Sequence, residues 1–220
     1  MNPVLKRTIT ALMVAAVLVS AILYVPAKFF APVLTVIAIL AIAEYEMLLA
    51  KKLGNKWFWA AVGTIAGVFV ICGAMLELYE IAKAGNVILL YVLAIIKISD
   101  MGGFAFGMSS NKLMKNGNHK LCPSISPGKS WEGLFGSVFA SVLISCAFIG
   151  VTKMSWAAAV GAGVTAALVG TFGDLVESKF KRWVGVKDSS TFKFTNGMGG
   201  VLDMIDSLLF APTLIAYWFL

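Results

Sequence analysis

Residues 173–207, GDLVESKFKRWVGVKDSSTFKFTNGMGGVLDMIDS, interrupt sequence that is apolar and almost uncharged on both sides. They hold five of the chain's eleven acidic residues (Asp174, Glu177, Asp188, Asp203, Asp206) and five of its eighteen basic ones (Lys179, Lys181, Arg182, Lys187, Lys193). Asp174, Glu177, Ser178 and Lys181 fall at i, i+3, i+4 and i+7, which predicts one face of a helix. Asp203 and Asp206 repeat the i, i+3 spacing at the start of the next apolar segment. If the two segments pack side by side, carboxylates from both converge with lysines and an arginine between them. Hard oxygen ligands of that kind suit Mg²⁺, and the cations suit the phosphate charge that a metal leaves unneutralised.

Outward from this stretch the chain reads as a membrane protein. Of its 220 residues 60% are hydrophobic and 13% charged, and mean hydropathy is +0.89, which excludes an ordinary soluble domain. Seven segments, approximately 8–25, 29–50, 57–79, 86–107, 133–152, 155–177 and 201–220, are long enough for a hydrocarbon core of about 30 Å. The expected fold is all-α: a polytopic transmembrane bundle of about seven spans with a polar active site on its cytoplasmic side. The first segment follows Lys6 and Arg7, but it is long and lacks a small-residue cleavage site, so it is read as a span and not as a leader. With the N-terminus inside, fourteen lysines and arginines fall in cytoplasmic connections against three (Lys28, Lys83, Lys153) on the other side. The net charge of +7 therefore reflects membrane topology, and no nucleic-acid partner is expected. Cys72, Cys122 and Cys146 form an odd set without metal-ligand spacing and read as packing residues.

The chain is expected to form one integral membrane domain, 1–220, with an N-terminal helical scaffold at 1–95 and the polar chemistry in 96–220. In the scaffold, Glu44 and Glu46 are expected to pair with Lys51 and Lys52. Span four ends in KISDMGGFAFG, where Lys97 and Asp100 share a helix face inside the membrane boundary. Such an acid is either functional or one half of a simple ion pair. Gly102, Gly103 and Gly107 would let another backbone approach. The loop 109–132 is basic and holds the one histidine, His119, read as solvated. At its end Ser126, Pro127, Gly128, Lys129 and Ser130 lead into Trp131, Glu132 and Gly133. Ser130 can cap the fifth span, and Lys129 with helix N-terminal N–H groups makes an anion site. Walker, nucleophile-elbow and Rossmann patterns are absent.

Together these motifs resemble the signature of the phosphatidate cytidylyltransferases, the CDP-diacylglycerol synthases: S-x-x-K-R, then K-D, a P-G-H-G-G loop and D-R-x-D. Ser178, Lys181 and Arg182 match the first part, Lys187 and Asp188 the second, Gly197, Gly199 and Gly200 the loop, and Asp203 and Asp206 the last. Upstream, GDLVES from Gly173 is similar to the family's GDLxES, Ser99-Asp100 with Gly102 to its S-D-x-G, and residues 126–133 to its SPxKTWEG. The resemblance covers roughly residues 95–210 and implies the reaction of CTP with phosphatidic acid to CDP-diacylglycerol and pyrophosphate. It implies Mg²⁺ on Asp174, Asp203 and Asp206, with a monovalent cation as a possible second ion. Ser178, Lys181, Arg182, Lys187 and Asp188 then act on phosphate and metal, and Asp100, Ser126, Lys129, Gly197, Gly199 and Gly200 bind substrate. It further implies a homodimer in a bacterial-type inner membrane, with the N-terminus and active site cytoplasmic. Asn196, Met198 and Met204 stand where the family has proline, histidine and arginine. Because methionine offers neither a strong hydrogen bond nor a charge, a CTP-dependent polyprenol or lipid kinase and a non-catalytic family member stay open as alternatives.

Overall fold

The computed structural model describes residues 16–114, 117–186 and 200–218. Residues 16–24 are helical and lead through a short 3₁₀ turn, Ala27–Phe29, into α1 (Phe30–Leu53), α2 (Trp57–Ala84) and α3 (Asn86–Leu113). A two-stranded antiparallel hairpin follows, β1 (Lys120–Cys122) and β2 (Ser126–Ser130). It feeds α4 (Trp131–Ala147), the four-residue α5 (Ile149–Thr152) and the long α6 (Trp156–Val184). Past residue 200 lie α7 (Val201–Ile205), a 3₁₀ turn (Asp206–Leu208) and α8 (Ala211–Ala216).

Four segments, Ala27–Leu53, Trp57–Ala84, Asn86–Leu113 and Trp156–Val184, are long and apolar enough to cross a membrane, and α4 is a shorter apolar helix. The expected helical bundle is present, but among the described residues four segments of membrane-crossing length stand where seven spans are expected, and the last segment and the loop before α4 take other shapes. The segment expected to run unbroken over 201–220 is three short pieces, because its polar residues Asp203, Asp206 and Ser207 bind α6, α3 and their own backbone, and Pro212 opens α8. Residues 126–130 are a strand and not a bare turn; the hairpin stands on the ends of α3 and α6. Of the expected first span, residues 8–15 lie outside the described residues.

Short links force successive helices to run in opposite directions. Gly85 joins α2 to α3 alone, at φ 153°, a conformation that side chains other than glycine rarely adopt. The antiparallel α3–α4 seam is made of small residues. A Cβ on Gly102 would lie 2.5 Å from Ala140 Cβ, and one on Gly136 would lie 2.4 Å from Phe106 Cβ, so the two backbones touch as small residues permit. Ser137, Ser141 and Ser145, spaced by four, form a buried ladder on α4. Ser141 Oγ donates to Gly163 O at 2.8 Å, Ser145 Oγ donates to Ala159 O at 2.7 Å, and Tyr91 and Ser145 hydroxyls pair at 2.8 Å. These bonds satisfy, inside an apolar bundle, groups that lipid would leave unpaired.

Alternating directions gather the basic residues at one end. Lys51, Lys52, Lys56, Lys112, Lys120, Lys129, Lys181 and Arg182 share the hairpin end, whereas Lys28, Lys83 and Lys153 mark the other. Exposed Trp57, Trp59, Trp131 and Trp183 accompany the first group, and Lys52 lies 5.3 Å from the Trp183 ring. Tryptophans among lysines at one level mark a membrane–water interface.

Candidate active site

The site is built where α3, the hairpin, α4 and α6 meet. A cavity of about 360 Å³ opens there, lined by Asp100 and Gly103 of α3, Ser126, Lys129 and Ser130 of β2, Ser137 of α4, and Thr171 and Asp174 of α6. Lys129 pairs with Asp174 across its mouth. Ser130 accepts the Gly133 N–H at 3.0 Å, the expected cap. The Trp131 N–H is taken by His119 O at 2.9 Å, so positive charge in the cavity comes from the Lys129 ammonium and not from an open helix end. His119, expected to be solvated, instead holds the hairpin to α4: its Nδ1 lies 2.7 Å from Glu132 Oε1, and its N–H donates to the same carboxylate. The hydrogen bonds from His119 depress the Glu132 carboxyl to about 2.

A second group of charges sits one turn further along α6. Lys181 Nζ lies 2.6 Å from Glu177 Oε2 and 2.7 Å from Asp203 Oδ1, and all three side chains are largely buried. Asp203 Oδ2 also accepts the Gly200 N–H at 2.9 Å, closing the first turn of α7. Glu44, expected to pair with Lys51 and Lys52, is fully buried instead, and its Oε2 accepts the Leu202 N–H at 2.9 Å. Glu46 accepts from Thr64 Oγ1 at 2.8 Å. Desolvation explains both: an acid among helices takes whatever donor the packing brings, while lysines at a helix end remain in water. Glu44 could have been noticed as an acid set inside an apolar run, but its partner 158 residues away could not.

The expected site residues are therefore distributed between two environments. Asp174, Asp100, Lys129 and Ser126 share the cavity. Asp203, Lys181 and Gly200 form the ion knot with Glu177, which the sequence puts on the same helix face as Asp174 but in no named ligand set. Asp206 accepts the Ser207 N–H at 2.6 Å; its backbone lies so close to α6 that a Cβ on Gly173 would be 2.7 Å from Asp206 O. The turn bearing Asp206 is outside the four candidate spans, and burial, reinforced by the Asp174 carboxylate, pushes its carboxyl well above the usual range. Arg182 reaches the hairpin turn, with Nε donating to Ile125 O at 3.5 Å, while its Nη1 donates to Val186 O at 3.3 Å just past α6, and Ser178 is half-buried on α6. Lys187, Asp188, Gly197 and Gly199 lie outside the described residues, as do Asn196 and Met198.

Among the described residues no three His, Cys, Asp or Glu side chains converge closely enough to hold a metal ion. The nearest approach to a metal site is Asp174 with Asp206 and Asp100, carboxylates from three elements whose charges act on one another. Their carboxylate oxygens are of the donor type that a divalent cation such as Mg²⁺ takes, but as placed they do not close into a ligand set. Asp203 is separated from them by its bonds to Lys181 and Gly200.

Helices of membrane-crossing length with a cavity of apposed lysine and carboxylates at their basic end define an integral membrane protein with a charged site. The comparison with known proteins is specific: residues 47–220 match the cytidylyltransferase family, and the chain belongs to it. Over 139 residues, 62% of this chain, it is 40% identical to a phosphatidate cytidylyltransferase of Staphylococcus aureus (strain COL), covering 50% of that protein. It is 37% identical over 140 residues to the phosphatidate cytidylyltransferase of Staphylococcus epidermidis (strain ATCC 12228), with the same coverage. A relative from Escherichia coli K12 named only as the uncharacterized protein YnbB is 36% identical over 167 residues, 73% of this chain and 52% of that one. The chain spans about half the length of these curated relatives.

Proposed function

We propose that this protein transfers the CMP moiety of CTP to phosphatidic acid, giving CDP-diacylglycerol and pyrophosphate, at the cytoplasmic face of a bacterial inner membrane. The observation that carries the reading is the cavity in which Lys129 faces Asp174 and Asp100 at the basic, tryptophan-rich end of the bundle. Family membership and the named staphylococcal relatives support the choice of substrates.

The nucleophile is the lipid's own phosphate oxygen, already anionic near neutral pH, so the reaction needs no strong protein base. That oxygen forms a bond to the α-phosphorus, the bond from the α-phosphorus to the α,β-bridging oxygen breaks, and the electron pair leaves with pyrophosphate. The protein must hold two anionic groups in line and balance the charge that develops. Lys129 on the hairpin and Arg182 beside it serve that purpose, with the Ser126 and Ser178 hydroxyls as neutral donors. Lys187, Asp188, Gly197 and Gly199 belong to the same proposed machinery by their motif alone. Asp174 and Asp206, with Asp100, are the residues that would hold Mg²⁺. When bound, the ion supplies charge neutralisation on the phosphates and orients them. Asp203 can enter a metal shell only if Lys181 exchanges its carboxylates for phosphate, a role that suits a lysine clamp.

The test is incubation of the purified chain with phosphatidate, Mg²⁺ and CTP labelled either in cytidine or at the γ-phosphate. Cytidine label in the lipid is the expected product. Label transferred only from the γ-position identifies a lipid kinase, and an unlabelled lipid from both identifies a non-catalytic member; either outcome overturns the proposal.

A further inference from the structure

Lys97 is one ionisable residue that the reading above leaves without a task. It lies eleven residues into α3, about 17 Å along a helix of about 42 Å, and one turn below Asp100 on the side away from the hairpin. An ammonium at that depth is costly and faces a crevice or a partner group. A simple ion pair with Asp100, one of the sequence expectations, is too loose to explain it: Nζ and Oδ2 are 3.6 Å apart, and the side chain is 47% exposed. Its short bonds go elsewhere, to Ser207 Oγ at 3.0 Å and Met204 O at 3.3 Å. Those two acceptors fix the ammonium at the junction of α3 with the turn after α7. A lysine carries three donors, so the third has only the loosely held Asp100 carboxylate at 3.6 Å, and the ammonium stays half-exposed one turn below this cavity-lining acid.

We infer that Lys97 binds the phosphate monoester of the membrane-resident substrate, holding the lipid headgroup beneath the nucleotide cavity. This rests on the reading of the protein as an enzyme that accepts phosphatidate. Lys97 lies one turn deeper along α3 than Asp100, which lines the cavity together with Lys129, so a lipid phosphate held there lies between the two ammonium groups. The Ser207 and Met204 bonds make the ammonium a positioned donor and not a floating charge. The half-exposed Met204 side chain leaves from the same backbone that Lys97 touches. A cation placed at 204 would therefore reach the same headgroup from a different element.

The test is thermal unfolding of the full chain in detergent, without CTP, titrated with short-chain phosphatidate, and in parallel with phosphatidylcholine and with inorganic phosphate. Phosphatidate alone is expected to raise the midpoint, as a ligand of the folded state must. Lys97→Met is expected to raise the half-saturating concentration about 10- to 100-fold. Lys97→Arg keeps the response, and adding Met204→Arg to Lys97→Met restores most of it. Should Lys97→Met not fold, Met204→Arg alone must tighten the phosphatidate response. Equal half-saturation in wild type and Lys97→Met, a wild type blind to phosphatidate, no tightening in Met204→Arg, or the same Lys97-dependent shift with inorganic phosphate overturns the inference. A phosphatidate response without cytidine transfer overturns the proposed reaction and leaves Lys97 as a lipid site.

Discussion

Asp174 and Glu177 are one turn apart on α6, yet they serve opposite ends. Asp174 opens onto the cavity and meets one lysine, from a different element, in a pair still reached by solvent. Glu177 is buried and shares Lys181 with Asp203, so that its charge is consumed in fastening the C-terminal segment to α6. The chemistry of the two acids is the same; access differs. An ion pair that water and ligands reach can be exchanged for substrate, whereas a buried one holds structure and is strongly destabilising to break. The lesson extends to the cations, because Lys129 is placed to let go of its carboxylate and Lys181 is held by two.

Substitutions break that contrast in order of size. Asp174→Asn is expected to lower cytidine transfer by at least about 100-fold while leaving the thermal midpoint almost unchanged; an active Asp174→Asn enzyme removes the cavity from the reaction. Asp203→Asn is expected to abolish transfer as well, but with membrane insertion intact and a stability loss of about 3 kcal/mol, read by unfolding in detergent. If Asp203→Asn unfolds like wild type, the division between open and closed pairs fails. Glu44→Ala, which removes the acceptor of the Leu202 N–H, is expected to cost about 1–3 kcal/mol, and Glu44→Gln less, because it keeps an oxygen there.

The smallest effect sharpens the comparison at the hairpin. Glu132 is held near 2 in the folded protein against an ordinary value of 4.5. Its stabilisation is therefore present above pH 4.5 and is lost as pH falls from 4.5 through 2. His119→Ala should remove the imidazole's share of that pH dependence and leave the share of the backbone N–H donors, as measured by the midpoint between pH 7 and 3. Because the His119 side of the pair is exposed, added salt should weaken it further.

Much of the site was legible because its residues are near one another in sequence. The i, i+3, i+4, i+7 face of α6 needed only helical periodicity, and Lys129 and Ser130 stood beside a recognisable cap. The α3 glycines were readable for the same reason, since only a close neighbour calls for so many small residues in an apolar helix. The division of the acids was not legible. Asp203 and Asp206 have the same spacing as Asp174 and Glu177, and nothing local says that one will meet Lys181 and the other the cavity side of α6. The broken final segment was hidden too: its apolarity predicts a span, while its shape follows from bonds to α1, α3 and α6.

The sequence by itself determined a helical membrane protein of the cytidylyltransferase family, with basic connections gathered at one end, because length, hydropathy and motif order are properties of the chain. Only the tertiary structure decided which charges face the cavity, which are locked in the knot, and that Glu44 caps α7 while Lys97 reaches Ser207. Those outcomes depend on desolvation and on partners 22 to 158 residues distant, and a pairing of that kind exists only once the helices have packed.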